Sequence, residues 1–100
     1  MNRLDNAGGV IIRVDATLET MPADHELGDL QKVVGGYVEY IAYPDRGVAF
    51  VVNEEGMMRE LPVNALATRF LACVSDRTDL VGLRGDVVML ANGRPSDEEE

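Results

Sequence analysis

The sequence predicts a single α+β domain, in which a mostly antiparallel sheet of about five strands packs with two helices in the chain order βαβββαβ. Three observations support this class. Short β-branched runs alternate with turn residues, two stretches carry apolar residues at helical spacing, and the last apolar run returns after the second helix. Runs of strands interrupted by isolated helices are typical of α+β domains.

The first strand and the first helix are expected before residue 36. Residues 10–14 are short and β-branched, and Arg13 makes one face partly polar, which favours an edge or near-edge strand. Asp24 is the expected N-cap of the helix that follows. Gly35 and Gly36 are expected to end this helix, one of them in the left-handed conformation. Its apolar face consists of Leu27, Leu30, Val33 and Val34.

A meander is expected next. Residues 37–43 alternate between two faces, and the turn Pro44-Asp45-Arg46-Gly47 favours a hairpin. Residues 48–52 are apolar on both faces, as in a central strand. After a turn at residues 53–56, residues 57–61 are expected to return as a third strand.

The second helix is expected to begin near Pro62 and Asn64, with its apolar stripe on Leu66, Phe70 and Val74. Cys73 is placed on the packed side of this helix. A short strand is considered at residues 80–81, and an interior strand at residues 86–91. The domain is expected to span residues 1–93, with residues 94–100 forming a disordered acidic tail.

Composition limits the classes of function. The chain has 100 residues, 46% of them hydrophobic, and a net charge of −9, of which the terminal Asp97, Glu98, Glu99 and Glu100 supply four charges. Nine scattered basic residues make nucleic-acid binding an unfavoured prediction. One cysteine excludes an internal disulfide, and no apolar run is long enough to span a membrane. We therefore expect a cytoplasmic protein.

No catalytic constellation is found. His25 and Cys73 are the single histidine and cysteine, and they are predicted to lie on different helices. A catalytic pair would need them adjacent, and a metal site would need clustered ligands. The sequence therefore predicts no enzyme, no catalytic residues, no metal site and no cofactor.

A weak binding surface is the remaining candidate. Tyr37 and Tyr43 share a face of the predicted strand, with Glu39 between them, and tyrosine is enriched at interfaces. The turn at residues 53–56 adds an amide and two carboxylates, although these are also ordinary turn residues. The candidate binding residues are Tyr37, Glu39, Tyr43, Asn53, Glu54, Glu55 and Asn64.

Several motifs together resemble the domain-of-unknown-function family 3846. They are Val34-Gly35-Gly36-Tyr37-Val38-Glu39, Asn53-Glu54-Glu55-Gly56 and Leu61-Pro62-Val63-Asn64, and the resemblance covers about residues 30–90. Members of that family are small proteins met in phages, plasmids and their bacterial hosts. The resemblance implies a mobile-element accessory protein, and it implies no reaction, cofactor or catalytic residue.

Two hypotheses follow. In the first, the protein is a non-enzymatic phage or mobile-element accessory protein that binds and modulates a host protein. In the second, it is a homo-oligomer that binds or sequesters a nucleotide-like signal between protomers, lined by the tyrosines and by Asn53 or Asn64. The acidic run around Asp24, Glu26 and Asp29 is adequately explained by the helix dipole, which favours negative charge at this end.

Overall fold

An antiparallel five-stranded sheet forms the centre of the protein. The computed structural model describes residues 8–75 and 82–91. Its strands are β1 (Gly9–Ile12), β2 (Leu18–Met21), β3 (Val38–Tyr43), β4 (Val48–Asn53) and β5 (Val87–Ala91), and its helices are α1 (Leu27–Val34) and α2 (Ala65–Ser75). The spatial order of the strands is β2-β1-β5-β4-β3. The predicted α+β class is confirmed.

The sheet lies between the two helices. Leu30 and Val34 of α1 pack on one face, and Ala67 and Leu71 of α2 pack on the other. Successive strand residues point to opposite faces, which is why Val51 joins the α1 cluster while its neighbours Phe50 and Val52 join the α2 cluster. We call these two sides the α1 face and the α2 face.

The two strands predicted to be interior lie inside the sheet. All six residues of β4 are buried, and β5 occupies the middle position between β1 and β4. The β3–β4 hairpin is closed by a short 3₁₀ turn at Pro44–Arg46, and Gly47 has a φ of 71°. The predicted hairpin is therefore confirmed, and Gly47 supplies the left-handed residue of its turn.

Two predictions at the ends of α1 had different outcomes. Gly35 ends the helix with a φ of 83°, as expected for a left-handed C-cap. The predicted N-cap, Asp24, is wrong, because the cap is Glu26. Its backbone N–H donates to the Asp29 carboxylate at 2.9 Å, so the acidic run is partly used to begin the helix.

The observed order of elements along the chain is ββαββαβ, whereas βαβββαβ was predicted, so one strand lies before α1 and not after β4. Residues 57–61 do not return as a strand, because Arg59 and Leu61 donate their backbone N–H groups to the nearby carbonyls of Glu55 and Gly56 and close a compact turn. The fifth strand is instead β2, which precedes α1 and pairs with β1. Its two polar residues, Glu19 and Thr20, are adjacent and its single buried side chain is Met21, so the alternation expected of a strand is nearly absent.

Cys73 was predicted to lie on the packed side of α2, and this is wrong because its side chain is exposed. The helix buries Ala67 and Leu71, and a residue two positions beyond Leu71 lies about 200° around the helix. Leu66, Phe70 and Val74 are partly buried against the same cluster.

Some predictions fall outside the described residues, namely the strand at residues 80–81 and the acidic tail at 94–100. In the ranges 8–75 and 82–91, no helix has the length and apolar character needed to cross a membrane.

Candidate binding surface

Asn64 is completely buried at the start of α2. Its Nδ2 donates to the carbonyls of Ile12 and Gly85 at 2.8 and 2.9 Å, and its Oδ1 accepts from the backbone N–H of Ala67 at 3.0 Å. An asparagine in this position caps the helix through its side-chain oxygen. The amide therefore connects α2 to β1 and to the segment before β5, and it does not face solvent.

The side chain of Asn53 has a similar structural role at the end of β4. Its Nδ2 donates to the carbonyl of Val34 at 3.0 Å, and its Oδ1 accepts from the backbone N–H of Glu55 at 2.7 Å. The side chain thus holds the C-terminal turn of α1 against the turn after β4. This arrangement explains why the turn at residues 53–56 needs an amide at its first position.

A groove runs along the α2 face beside β3, with a cavity volume of about 350 Å³. We call it the β3 groove. Its apolar lining comes from Ile41, Val52, Leu71 and Leu83, and its polar lining includes Glu39, Tyr43, Glu54 and Arg84. The exposed side chain of Met57 also lines it, because the turn that replaces the predicted third strand places this residue there.

Arg84 is the basic residue of the β3 groove. Its Nη1 donates to the carbonyl of Leu61 at 3.0 Å, which fixes the guanidinium against the turn before α2. Its Nε is buried and has no hydrogen-bond partner among residues 8–75 and 82–91. The carboxylates of Glu39 and Glu54 are on exposed residues of the same groove, so acidic groups dominate its accessible part.

A second cavity, also of about 350 Å³, lies at the end of α1. We call it the Tyr37 cavity. It is lined by Gln31, Gly36, Tyr37, Glu55 and Arg59. Tyr37 is 70% exposed, and Arg59 makes a long 3.4 Å contact from Nη1 to the carbonyl of Gly35.

The structure therefore divides the predicted binding residues among three places. Glu39, Tyr43 and Glu54 line the β3 groove, while Tyr37 and Glu55 line the Tyr37 cavity. Asn64 is buried, and Asn53 reaches the β3 groove only as a nearly buried residue whose amide is hydrogen-bonded within the protein. The sequence did not indicate Met57, Arg84 or the apolar lining of the groove, because alternation in β3 shows which residues share a face but not which residues from other segments pack over that face.

Two ion pairs of Arg13 form a cluster that lines neither cavity, and we call this cluster the ionic bracket. Arg13 contacts Glu19 at 3.0 Å and Asp86 at 2.8 Å, and Asp86 also accepts the backbone N–H of Val14. The hydrogen bond from Arg13 lowers the pKa of the Glu19 carboxyl. The hydroxyl of Thr17 donates to Asp15 and likewise lowers the pKa of that carboxyl. The bracket connects β1, β2 and the start of β5.

Groups that could carry reactions are apart. His25 lies before α1, where its Nδ1 is 2.8 Å from the carbonyl of Pro22, whereas Cys73 belongs to the helix on the other face of the sheet. Within the described part of the chain, no three His, Cys, Asp or Glu side chains form a group that could hold a metal ion.

Comparison with known proteins gives one result. No curated protein matches the chain, and no solved structure matches it. A family model, described as a domain of unknown function (DUF3846), matches residues 8–99. That match extends the resemblance noted at residues 30–90 over β1, β2 and the end of the chain, and the protein belongs to the DUF3846 family.

Proposed function

We propose that this protein is a non-enzymatic binding protein that holds an apolar and basic segment of another protein in the β3 groove. The observation that carries the proposal is the combination of an apolar lining with the exposed carboxylates of Glu39 and Glu54 in one open groove. Such a groove offers both apolar contact and charge selection to a protein segment.

The size of the groove fits side chains better than a whole folded surface. Ligand sites commonly measure roughly 300–1,000 Å³, and the β3 groove, at about 350 Å³, lies at the lower end of that range. Ile41, Val52 and Leu83 would contact one or two apolar side chains of the bound segment. Met57 would adapt to their shape, because its side chain is flexible and polarizable.

The charge of the groove determines which residues should lie beside those apolar side chains in the bound segment. The whole chain carries a net charge of −9, and Glu39 and Glu54 place acidic groups at the groove itself. Complementary charges speed association and disfavour acidic competitors. A segment with Lys or Arg beside its apolar residues therefore fits better than an acidic one.

The biological setting of the proposal comes from the family resemblance. A phage or mobile-element accessory protein would act in the host cytoplasm, and the bound segment would belong to a host protein. The charge and the groove support binding, whereas the phage or plasmid setting is supported by the resemblance alone.

A library of short random peptides, selected for binding to the full chain, tests the proposal. We expect the enriched peptides to combine apolar residues with Lys or Arg. The double substitution Glu39→Gln and Glu54→Gln should weaken their binding and reduce its salt dependence. The control, Asp24→Asn with Asp45→Asn, removes the same charge from exposed positions outside the groove and should change little. Failure to enrich such peptides, or equal losses in both double variants, would overturn the proposal.

The Tyr37 cavity supports a second candidate function, the binding of a nucleotide-like signal. The exposed ring of Tyr37 can stack on a base, and the guanidinium of Arg59 in the same cavity can pair with a phosphate. The carboxylate of Glu55, which also lines this cavity, opposes the binding of an anion. Calorimetric titration with AMP and cyclic AMP tests it. Binding that is lost in both Tyr37→Ala and Arg59→Gln would support this candidate, and the absence of binding would reject it for these ligands.

A further inference from the structure

The outer side of β3 presents backbone groups, in a regular pattern, with which no strand among residues 8–75 and 82–91 pairs. The strand is the outermost one of the sheet, and Glu54 donates its N–H to the carbonyl of Tyr37 at 2.9 Å. Hydrogen-bonded and non-hydrogen-bonded pairs alternate along an antiparallel ladder. Because the register pairs Val38 with Asn53, the N–H and C=O groups of Val38, Tyr40 and Ala42 point away from β4.

This edge lacks the usual protection against strand pairing. Natural edge strands are often short, interrupted by proline or rich in lysine. The six residues of β3 contain no proline and no lysine, and Glu39 is its one charged residue. The opposite edge, β2, has four residues and is followed directly by Pro22.

We propose that a second copy of this chain pairs with β3 in antiparallel orientation, with the two-fold axis beside Tyr40, so that two five-stranded sheets become one. In this register Tyr40 is opposite Tyr40 of the second copy, and Val38 is opposite Ala42. The outward N–H and C=O groups of these residues then hydrogen-bond to each other. The half-exposed ring of Tyr40 gains an aromatic cross-strand neighbour.

Charge selects this register over its neighbour. With the axis beside Tyr40, Glu39 is opposite Ile41 of the second copy. Moving the axis to Glu39 would place two Glu39 carboxylates directly opposite each other, and like charges in that position are destabilising. The register with the axis beside Tyr40 is also the one that pairs the outward residues Val38, Tyr40 and Ala42 of both copies with one another. This self-complementarity is the argument for a second copy as the occupant of this edge.

Pairing would also bring the two β3 grooves together. Glu39 and Ile41, which line the groove of one copy, would lie opposite Ile41 and Glu39 of the other copy. The two grooves would then adjoin across the axis. The dimer stands on the geometry of β3, whereas the use of the joined groove rests on the proposed function.

The mass in solution and a cross-link test the pairing. Sedimentation of the full chain is expected to show a dimer. The substitution Tyr40→Lys would place two lysines opposite each other across the dimer axis, and it is expected to raise the dissociation constant of the dimer roughly tenfold or more. Thr20→Lys is the matched control on the other edge, since Thr20 is an exposed residue of β2. A monomeric wild-type chain, or a dimer broken by Thr20→Lys and not by Tyr40→Lys, would overturn the proposal.

The register is tested in a Cys73→Ser background, which removes the exposed native thiol. Tyr40→Cys would place two cysteines opposite each other, at a Cα separation of roughly 5.5 Å that a disulfide can bridge. Oxidation should therefore link this variant and leave Glu39→Cys unlinked, and the reverse result would overturn the register. A monomer that still selects peptides would reject the dimer alone, whereas a cross-linked dimer that selects none would reject the groove function alone.

Discussion

Asn64 and Asn53 are two buried asparagines that attach the helices to opposite faces of the sheet, and they do so to different extents. Asn64 begins α2 and uses its side chain in three hydrogen bonds, to β1, to the loop before β5 and to its own helix. Asn53 meets the end of α1 and makes two. The α2 face therefore depends on one amide more strongly than the α1 face does.

The difference follows from what each helix has at its end. The end of α1 also has a left-handed glycine, whose N–H donates to the carbonyl of Gln31 at 2.8 Å. The start of α2 relies on Asn64 for its side-chain cap and for its link to β1. Asn53 and Asn64 are ligand-binding candidates in the sequence, but in the structure their side chains hold the two helices in place. Asn64 contributes more to this than Asn53 does.

The largest effect is expected for Asn64→Ala. The substitution leaves the Ile12 and Gly85 carbonyls and the Ala67 N–H without their buried partner, and it should lower the free energy of unfolding by about 2–4 kcal/mol. Urea denaturation measures the loss. Asn64→Asp is the informative companion, because it keeps an acceptor for Ala67 and removes both donors. A loss for Asn64→Ala below that of Asn53→Ala would contradict the comparison.

A smaller loss is expected for Asn53→Ala, about 1–3 kcal/mol, since two hydrogen bonds are removed at a nearly buried position. The same denaturation experiment measures it. Asn53→Asp keeps the acceptor for the Glu55 N–H and loses the donor to Val34, so it separates the turn from the helix contact. Equal stability of Asn53→Ala and the wild type would show that α1 does not depend on this amide.

Gly35→Ala is expected to cost about 1 kcal/mol, because a residue with a side chain is disfavoured at a φ of 83° even though nothing lies within 4 Å of the added Cβ. Gly28→Ala is the matched control, since it also meets open space but lies within α1. Thermal unfolding should show the control to be neutral or stabilised. A destabilised control would mean that helix substitution itself, and not the C-cap, is responsible.

The smallest effect is expected in the pH dependence of stability, to which the carboxyl groups of Glu19 and Asp15 contribute. The asparagine amides at the two helices are neutral and do not titrate in this range. The pKa values of Glu19 and Asp15 are lowered in the folded protein, so their contribution is complete above the unfolded values and is lost as pH falls through the folded ones. Stability should therefore decline below about pH 4.5, the ordinary value for Glu19. Glu19→Gln should flatten this part of the profile, and an unchanged slope would exclude Glu19 as a contributor.

The sequence was sufficient for much of the fold because its patterns are local. Apolar residues on both faces located β4 and β5, and Gly35 and Gly47 marked the end of α1 and the hairpin turn. Strand β2 was missed since only Met21 of its residues is buried, so alternation is nearly absent. Residues 57–61 were misjudged because their hydrogen bonds run to neighbouring carbonyls, which no periodicity reveals.

The candidate site was less predictable for a different reason. Tyr37, Glu39 and Tyr43 were grouped because they alternate along one strand, yet Tyr37 precedes β3 and lines another cavity. The β3 groove also depends on Leu71 and Arg84, which are distant in the chain and reach it through the packing of α2 and the contact of Arg84 with Leu61. Such convergence is a property of tertiary structure and has no local signature.

The position of β5 in the sheet makes the order of synthesis matter. Strands β1 and β2 pair with each other, as do β3 and β4, but these two pairs are joined within the sheet through β5. A ribosome makes β5 after all of them, so a nascent chain can hold two separate hairpins and no complete core. Completion of the fold must wait until this late segment has emerged, and its distant pairing with β1 favours slow closure.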